Sequence, residues 1–226
     1  MGLKWGKIYI YYTFIEENGQ DIGKSALNFL DEEELQIYNR SHSLGRRIKF
    51  ATGRALLKSM LAAQLGMVPE ELHFSRNKYG KPYLKGQGYP NEMIDFNISH
   101  CKGLVACAFT KGTFVGIDVE EERRNILEIG NSFFSADEID YIGTFPHEAQ
   151  NTASCKIWTL KEAYVKAKGV GLTVPLDNFS VCKNNEFFFH SVSPSPGYSL
   201  SVAVERKGSY EFNCLLQEIA YSAIWS

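Results

Sequence analysis

Val115-Gly116-Ile117-Asp118-Val119-Glu120 is an apolar, β-branched run that carries two carboxylates two residues apart. Side chains on a strand alternate between faces, so this spacing puts Asp118 and Glu120 on the same side. Two like charges held that close repel, and they call for a cation or a shared proton. A hard divalent ion with oxygen ligands answers that need. A strand end whose carboxylates point into water has the same spacing, and the run alone does not separate the two.

Outward from this run the chain reads as alternating blocks. Upstream, strands are expected at residues 7–14, Leu72–Ser75, Ile94–Ile98 and Leu104–Thr110, with the Lys111-Gly112-Thr113 turn leading into Phe114–Glu120. A short helix is expected over Asp31–Tyr38, with Asp31 as its cap and acids in its first turn. A long helix covers Arg46–Leu65, where Phe50, Leu57, Leu61 and Leu65 recur at spacings of seven and four and Gly66 is the stop. Asn77–Pro82 is turn-forming and Gly86–Asn91 is loop.

Downstream, Glu121–Arg124 leaves the sheet. A helix over Ala136–Ile142 is capped by Ser135, with Glu138 three residues on. A second long helix runs over Thr152–Lys168 to Gly169. Strands follow at Phe179–Cys182, Glu186–His190, Ser199–Val204 and Glu211–Leu216. Each half has one dominant long helix among strands. The expectation is an α+β fold of two similar, pseudo-duplicated halves, 1–111 and 112–226, the second carrying the acidic pair.

The 226 residues are 44% hydrophobic and 22% charged, enough for a core in an ordinary globule. No run of eighteen apolar residues occurs, and the first residues lack the pattern of a signal peptide, so the expected location is cytoplasmic, off the membrane. The five cysteines (Cys101, Cys107, Cys155, Cys182 and Cys214) have no CxxC spacing and read as buried free thiols. A net charge of −2 argues against generic nucleic-acid binding. One block departs from that balance: Arg40, Arg46, Arg47, Lys49, Arg54 and Lys58 follow one another with no acid between them. It suits a phosphate-rich ligand, or else a helix face balanced by acids elsewhere.

Four further stretches matter. Glu162 lies in a helix headed by Trp158, next to Lys161 and one turn before Lys166, and would supply a third carboxylate for the Asp118/Glu120 pair. Ser99 and His100 end a strand, where they either donate to a phosphate or serve a turn. Adjacent strand residues face opposite ways, so they are no hydrolase dyad, and no Gly-x-Ser-x-Gly elbow occurs. Tyr79-Gly80-Lys81-Pro82 is not a P-loop, and Lys168-Gly169-Val170-Gly171-Leu172 is not a dinucleotide fingerprint.

Taken in order, Gly80-Lys81-Pro82, Asn97-Ile98-Ser99-His100, Gly116-Ile117-Asp118-Val119-Glu120, Phe133-Phe134-Ser135 with Glu138, and Trp158, Lys161-Glu162-Ala163 and Lys166 resemble the phosphopantetheinyl transferases, in their larger, Sfp-like monomeric type. The resemblance runs from about residue 46 to residue 182. It implies transfer of the 4′-phosphopantetheine arm from coenzyme A to a serine of an acyl or peptidyl carrier protein, with release of adenosine 3′,5′-bisphosphate and a requirement for Mg2+. It also implies two similar halves with coenzyme A in the cleft between them. By the same resemblance Asp118, Glu120 and Glu162 match metal-binding acids, Lys166 a lysine near the transferring phosphate, and Lys81, Ser99 and His100 contacts to coenzyme A phosphates. Arg47 stands for a segment, Arg46 to Arg54, that contacts the nucleotide end, and Glu162 is also the candidate base. Glu138 matches an acid to which no role is attached. The competing readings are a non-catalytic coenzyme A or carrier-binding module and an unrelated magnesium-dependent phosphate enzyme.

Overall fold

Strand β1 (Lys7–Phe14) is buried on both faces: Ile8, Ile10 and Tyr12 point one way, Tyr9 and Tyr11 the other. A strand covered twice belongs in the middle of layers, and β1 sits there in a computed structural model of the chain, which describes residues 2–15, 24–86, 93–122, 126–130, 132–171, 174–208 and 211–224. The loop expected over Gly86–Asn91 lies outside the described residues beyond Gly86, as do Arg123 and Arg124, whereas Glu121, expected to leave the sheet, is still paired with Tyr198 at the end of the strand.

The first sheet has the order β4 (Ile94–Cys101), β5 (Leu104–Lys111), β1 and β9 (Asn213–Glu218). Its β4–β5 and β5–β1 pairs are antiparallel, and β9 is parallel to β1. The second sheet is β6 (Val115–Glu121), β8 (Tyr198–Glu205) and β7 (Phe187–Val192), all antiparallel. Ile8, Ile10, Leu104, Ala106 and Ala108 of the first sheet share one core with Val115, Ile117, Val119, Leu200, Val202 and Val204 of the second. The outer face of the first sheet packs on α3 (Leu44–Leu65) through Tyr9, Tyr11, Phe96, Phe109, Leu57 and Leu61. The outer face of the second packs on α6 (His147–Lys168), where Ala163, Tyr164 and Ala167 meet Phe187 and Ala203. The layer order is therefore helix, sheet, sheet, helix. Each long helix has 22 residues and ends on a left-handed glycine, Gly66 and Gly169, as their positions implied.

Smaller elements complete the two halves. They are α1 (Lys24–Leu27), α2 (Glu32–Arg40), the hairpin β2 (Phe74–Arg76) with β3 (Pro82–Leu84), α4 (Ile126–Gly130) and α5 (Ala136–Gly143). Among the described residues no helix is long and apolar enough to cross a membrane.

Strand β9, from the 112–226 stretch, returns to cover the edge that β1 would otherwise leave open. Three expectations are corrected. The second long helix starts at His147, just after Pro146, five residues before the expected Thr152. Phe179–Cys182 is not a strand: the Phe179 carbonyl accepts from Lys161 and the Val181 N–H donates to Glu138, so side chains take the groups a ladder would need. Finally, the thiols differ among themselves. Cys101, Cys107 and Cys155 are buried, with burial pushing Cys101 and Cys155 up to about 12, whereas Cys182 is exposed and Cys214 half-buried.

Gly116 explains how α6 reaches its sheet. A Cβ there would collide with the Ala163 carbonyl oxygen and the Ala167 nitrogen, which are helix backbone and cannot rotate away. Overpacking commonly costs ~1–3 kcal/mol, and a clash with two backbone groups belongs at or above the top of that range. Gly116→Ala should therefore lose roughly 3 kcal/mol or more in urea unfolding, while Gly143→Ala, whose Cβ would meet nothing, should stay close to wild type.

Candidate active site

The site begins at a seam. Strand β6 is the edge of its sheet, so every second N–H along it lacks a strand partner. Three side chains of β4 supply acceptors: Val115 N–H donates to Asp95 Oδ2 (2.7 Å), Ile117 N–H to Asn97 Oδ1 (3.2 Å) and Val119 N–H to Ser99 Oγ (3.3 Å). The intervening Phe96 and Ile98 face α3. The ladder joins the two sheets edge to edge without a shared backbone pairing.

The face of β6 opposite its apolar residues looks toward α6. Asp118 pairs across with Ser201 and Glu120 with Ser199, and Thr159 of α6 lies 2.7 Å from Ser201 Oγ. Asp118 is buried, and its Oδ1 accepts from Ser99 Oγ at 2.8 Å and from Lys166 Nζ at 2.6 Å. Lys166 Nζ also donates to Ser99 Oγ, at 3.0 Å. Ser99, Asp118 and Lys166 thus form one cluster drawn from β4, β6 and α6. Glu162, one helical turn before Lys166, lines the adjoining cavity of about 290 Å³ together with Lys166, Lys81 and Asn97. The adjacent Lys161 points elsewhere, so the two neighbours serve different contacts, as their 100° offset around the helix implies.

Lys81 is engaged within the protein. Its ammonium donates to Asp95 Oδ2 (2.6 Å) and to the carbonyls of Val115 (3.1 Å) and Ala167 (3.2 Å), which occupies its three donors within the protein. Asn77 donates to the Gly169 carbonyl at 2.9 Å. The Asn77–Lys81 turn therefore caps the C-terminus of α6, where the helix dipole favours a cation. Burial pushes the Asp95 carboxyl up, and Lys81 opposes the shift.

The basic block divides. Arg54 Nε lies 2.9 Å from Glu34 Oε1, and Lys58 Nζ 2.9 Å from Glu34 Oε2, all three side chains buried. Burial lowers the Arg54 pKa and Glu34 opposes it. Arg47 donates to the carbonyls of Ser41 and Asn39 and stacks on Tyr38, so it secures the end of α2 and does not line the cleft cavities described here. His100, Lys49 and Arg54 instead surround a second cavity of about 170 Å³.

Glu138 has a structural task. It is fully buried, receives Lys161 Nζ and the Ser135 N–H on Oε2, and receives the Val181 N–H on Oε1. Lys161 also donates to the Phe179 carbonyl at 2.6 Å. Burial pushes the Lys161 ammonium down, against the pull of Glu138.

For a magnesium ion the donor chemistry fits in part. Asp118 Oδ2 is buried and has no hydrogen-bond partner, which leaves a carboxylate oxygen open to a cation. Glu120 shares its strand face and Glu162 lines the cavity, all hard oxygen donors. Among the described residues, however, no three acidic, histidine or cysteine side chains stand together as a metal-holding group, and the charge of Asp118 is met by Lys166. Sequence reasoning missed Asp95 and named Asn97 only as part of a motif, without a role. Their signal was a polar residue at every second position, 95, 97 and 99, between Ile94, Phe96 and Ile98.

Comparison with known proteins is consistent along the chain. A family model described as the 4′-phosphopantetheinyl transferase superfamily matches residues 114–209, and one described as 4′-phosphopantetheinyl transferase, N-terminal, matches residues 21–111. The chain is 30% identical over 168 residues to the 4′-phosphopantetheinyl transferase gsp of Aneurinibacillus migulanus, covering 73% of this chain and 68% of that protein. It is 30% identical over 162 residues to the 4′-phosphopantetheinyl transferase Sfp of Bacillus subtilis, covering 72% and 70%. With the 4′-phosphopantetheinyl transferase HetI of a Nostoc strain it shares 33% over 145 residues, covering 63% and 61%.

The Glu138–Lys161 pair fixes the loop after α6 against α5, and removing one partner of such a pair costs about 3–5 kcal/mol because the other charge stays buried alone. Lys161→Met should lower unfolding stability by that amount in a urea titration followed by circular dichroism.

Proposed function

The chain belongs to the 4′-phosphopantetheinyl transferase superfamily, and we propose that it moves the phosphopantetheine arm of coenzyme A onto a serine of an acyl or peptidyl carrier protein, releasing adenosine 3′,5′-bisphosphate. The observation that carries the mechanism is the Ser99–Asp118–Lys166 cluster beside a cavity lined by Glu162. The carrier serine oxygen forms a bond to the phosphorus that bears the pantetheine. The bond from that phosphorus to the bridging oxygen breaks, and the bisphosphate leaves with the electron pair.

Such a transfer needs positioning and charge neutralisation more than covalent help. Lys166 is held at its Nζ by Asp118 and Ser99, yet its side chain keeps 28% exposure, so it can meet negative charge arising in the cleft. Glu162 is assigned the serine proton. Asp118, with its open Oδ2, Glu120 and Glu162 would hold magnesium. The ion, when bound, would neutralise the pyrophosphate and stabilise the leaving group. Lys81 acts by holding the α6 terminus, and through it the register of Lys166 and Glu162. Both walls of the cleft come from one chain, which supports a monomeric working unit.

Mass spectrometry of apo carrier proteins incubated with the protein, coenzyme A and magnesium should show addition of the arm. No addition across acyl and peptidyl carriers would overturn the function. Asp118→Ala should give no product while keeping the wild-type circular dichroism spectrum, and full activity in that variant would remove the metal assignment.

A further inference from the structure

Each rung of the β4–β6 ladder does two things. Asp95 takes the Val115 N–H and also Lys81. Ser99 takes the Val119 N–H and also engages Asp118 and Lys166. Asn97, the middle rung, takes the Ile117 N–H on Oδ1, and among the described residues no protein group receives its Nδ2. An N–H donor can only meet the oxygen end of a side-chain amide, so Ile117 fixes which way the amide is turned. Nδ2, with its two N–H donors, is the end of the amide that the seam does not use.

Asn97 also stands at the boundary between two cavities. Asn97 and Pro82 line both the cavity of about 170 Å³ with Lys49, Arg54 and His100 and the cavity of about 290 Å³ with Lys166 and Glu162. Asn97 itself is only 7% exposed. Lys49 and His100 line the first cavity and the partly exposed Lys166 lines the second, a spacing of basic groups that suits a ligand charged at two separate points. Coenzyme A has that charge pattern, with a phosphate on its ribose and a pyrophosphate further along. We propose that Asn97 is a binding residue for coenzyme A, its Nδ2 donating to a phosphate oxygen where the molecule crosses from one cavity to the other. The inference rests on the transfer reading above and adds to it a contact that the middle rung is oriented to make.

Asn97→Asp tests this, because it keeps an oxygen for the Ile117 N–H and replaces the donor with a second acceptor. Asn97→Ser is the companion variant: its hydroxyl can take the Ile117 N–H as Ser99 takes that of Val119, but it is too short to reach the cleft. Calorimetric titration with coenzyme A, alongside urea unfolding of each protein, is the measurement. Asn97→Ser should unfold near the wild-type midpoint and Asn97→Asp, which buries a charge, below it; both should bind coenzyme A at least tenfold more weakly, the expected loss for a hydrogen bond to a charged group. If either folded variant binds within twofold of wild type, Asn97 serves the seam alone and the proposal fails. Wild-type protein that does not bind coenzyme A would overturn the transfer reading itself, and this contact with it.

Discussion

An edge strand that carries unpaired backbone N–H groups into a protein interior must find acceptors for them, and β6 finds them in side chains. The rest of the molecule depends on that solution. Because Asp95, Asn97 and Ser99 stand at alternate positions of β4, they meet alternate N–H groups of β6 in register. The same register sets Ser99 against Asp118 and draws Lys81 under the carbonyls of Val115 and Ala167. The two halves thus meet along a polar seam, while their apolar faces close over one another behind it. The seam also opens on the cavities lined by Asn97, Lys166 and Glu162.

The lysines divide accordingly into those that hold the fold and those that face the cleft. Lys58 and Lys161 are buried against Glu34 and Glu138, and Lys81 is anchored to Asp95 and two carbonyls. A buried ion pair of this kind adds little net stability, but breaking one is costly, so each fixes a local arrangement. Lys166 differs, being ion-paired yet partly exposed. Its pairing with Asp118 holds both charges ready at the cavity, and a cation bound by the acids would have to share Asp118 with it. Asp118, Glu120 and Glu162 stand at three positions that, among the described residues, are not drawn into one metal-holding group.

Much of this was legible in the chain. The strand 7–14, both long helices and their glycine stops, and the acidic pair on one face of β6 follow from periodicity and local chemistry, and they are found. The ordered motifs pointed to the family that the comparisons support. What was not legible needed a third dimension. Lys81 in a Gly-Lys-Pro turn carries no mark of the helix end it caps, since Ala167 lies 86 residues away. Phe179–Cys182 has strand composition, but the demand of the buried Glu138–Lys161 pair for backbone partners overrides it. The return of β9 to β1 depends on which sheet edge is left open, which no local pattern encodes. Gly116 is the opposite case: a glycine in a β-branched run signals close approach of another backbone, and α6 is what approaches.

The central claim is that side chains of β4 replace a missing strand beside β6. Amide hydrogen exchange under native conditions tests it most directly, by comparing the N–H groups of Val115, Ile117 and Val119 with those of Gly116, Asp118 and Glu120, which point the other way along the same strand toward β8. The account predicts that both sets exchange slowly, by the same global opening. Fast exchange at Val115, Ile117 and Val119, with protection confined to the β8 side, would contradict it.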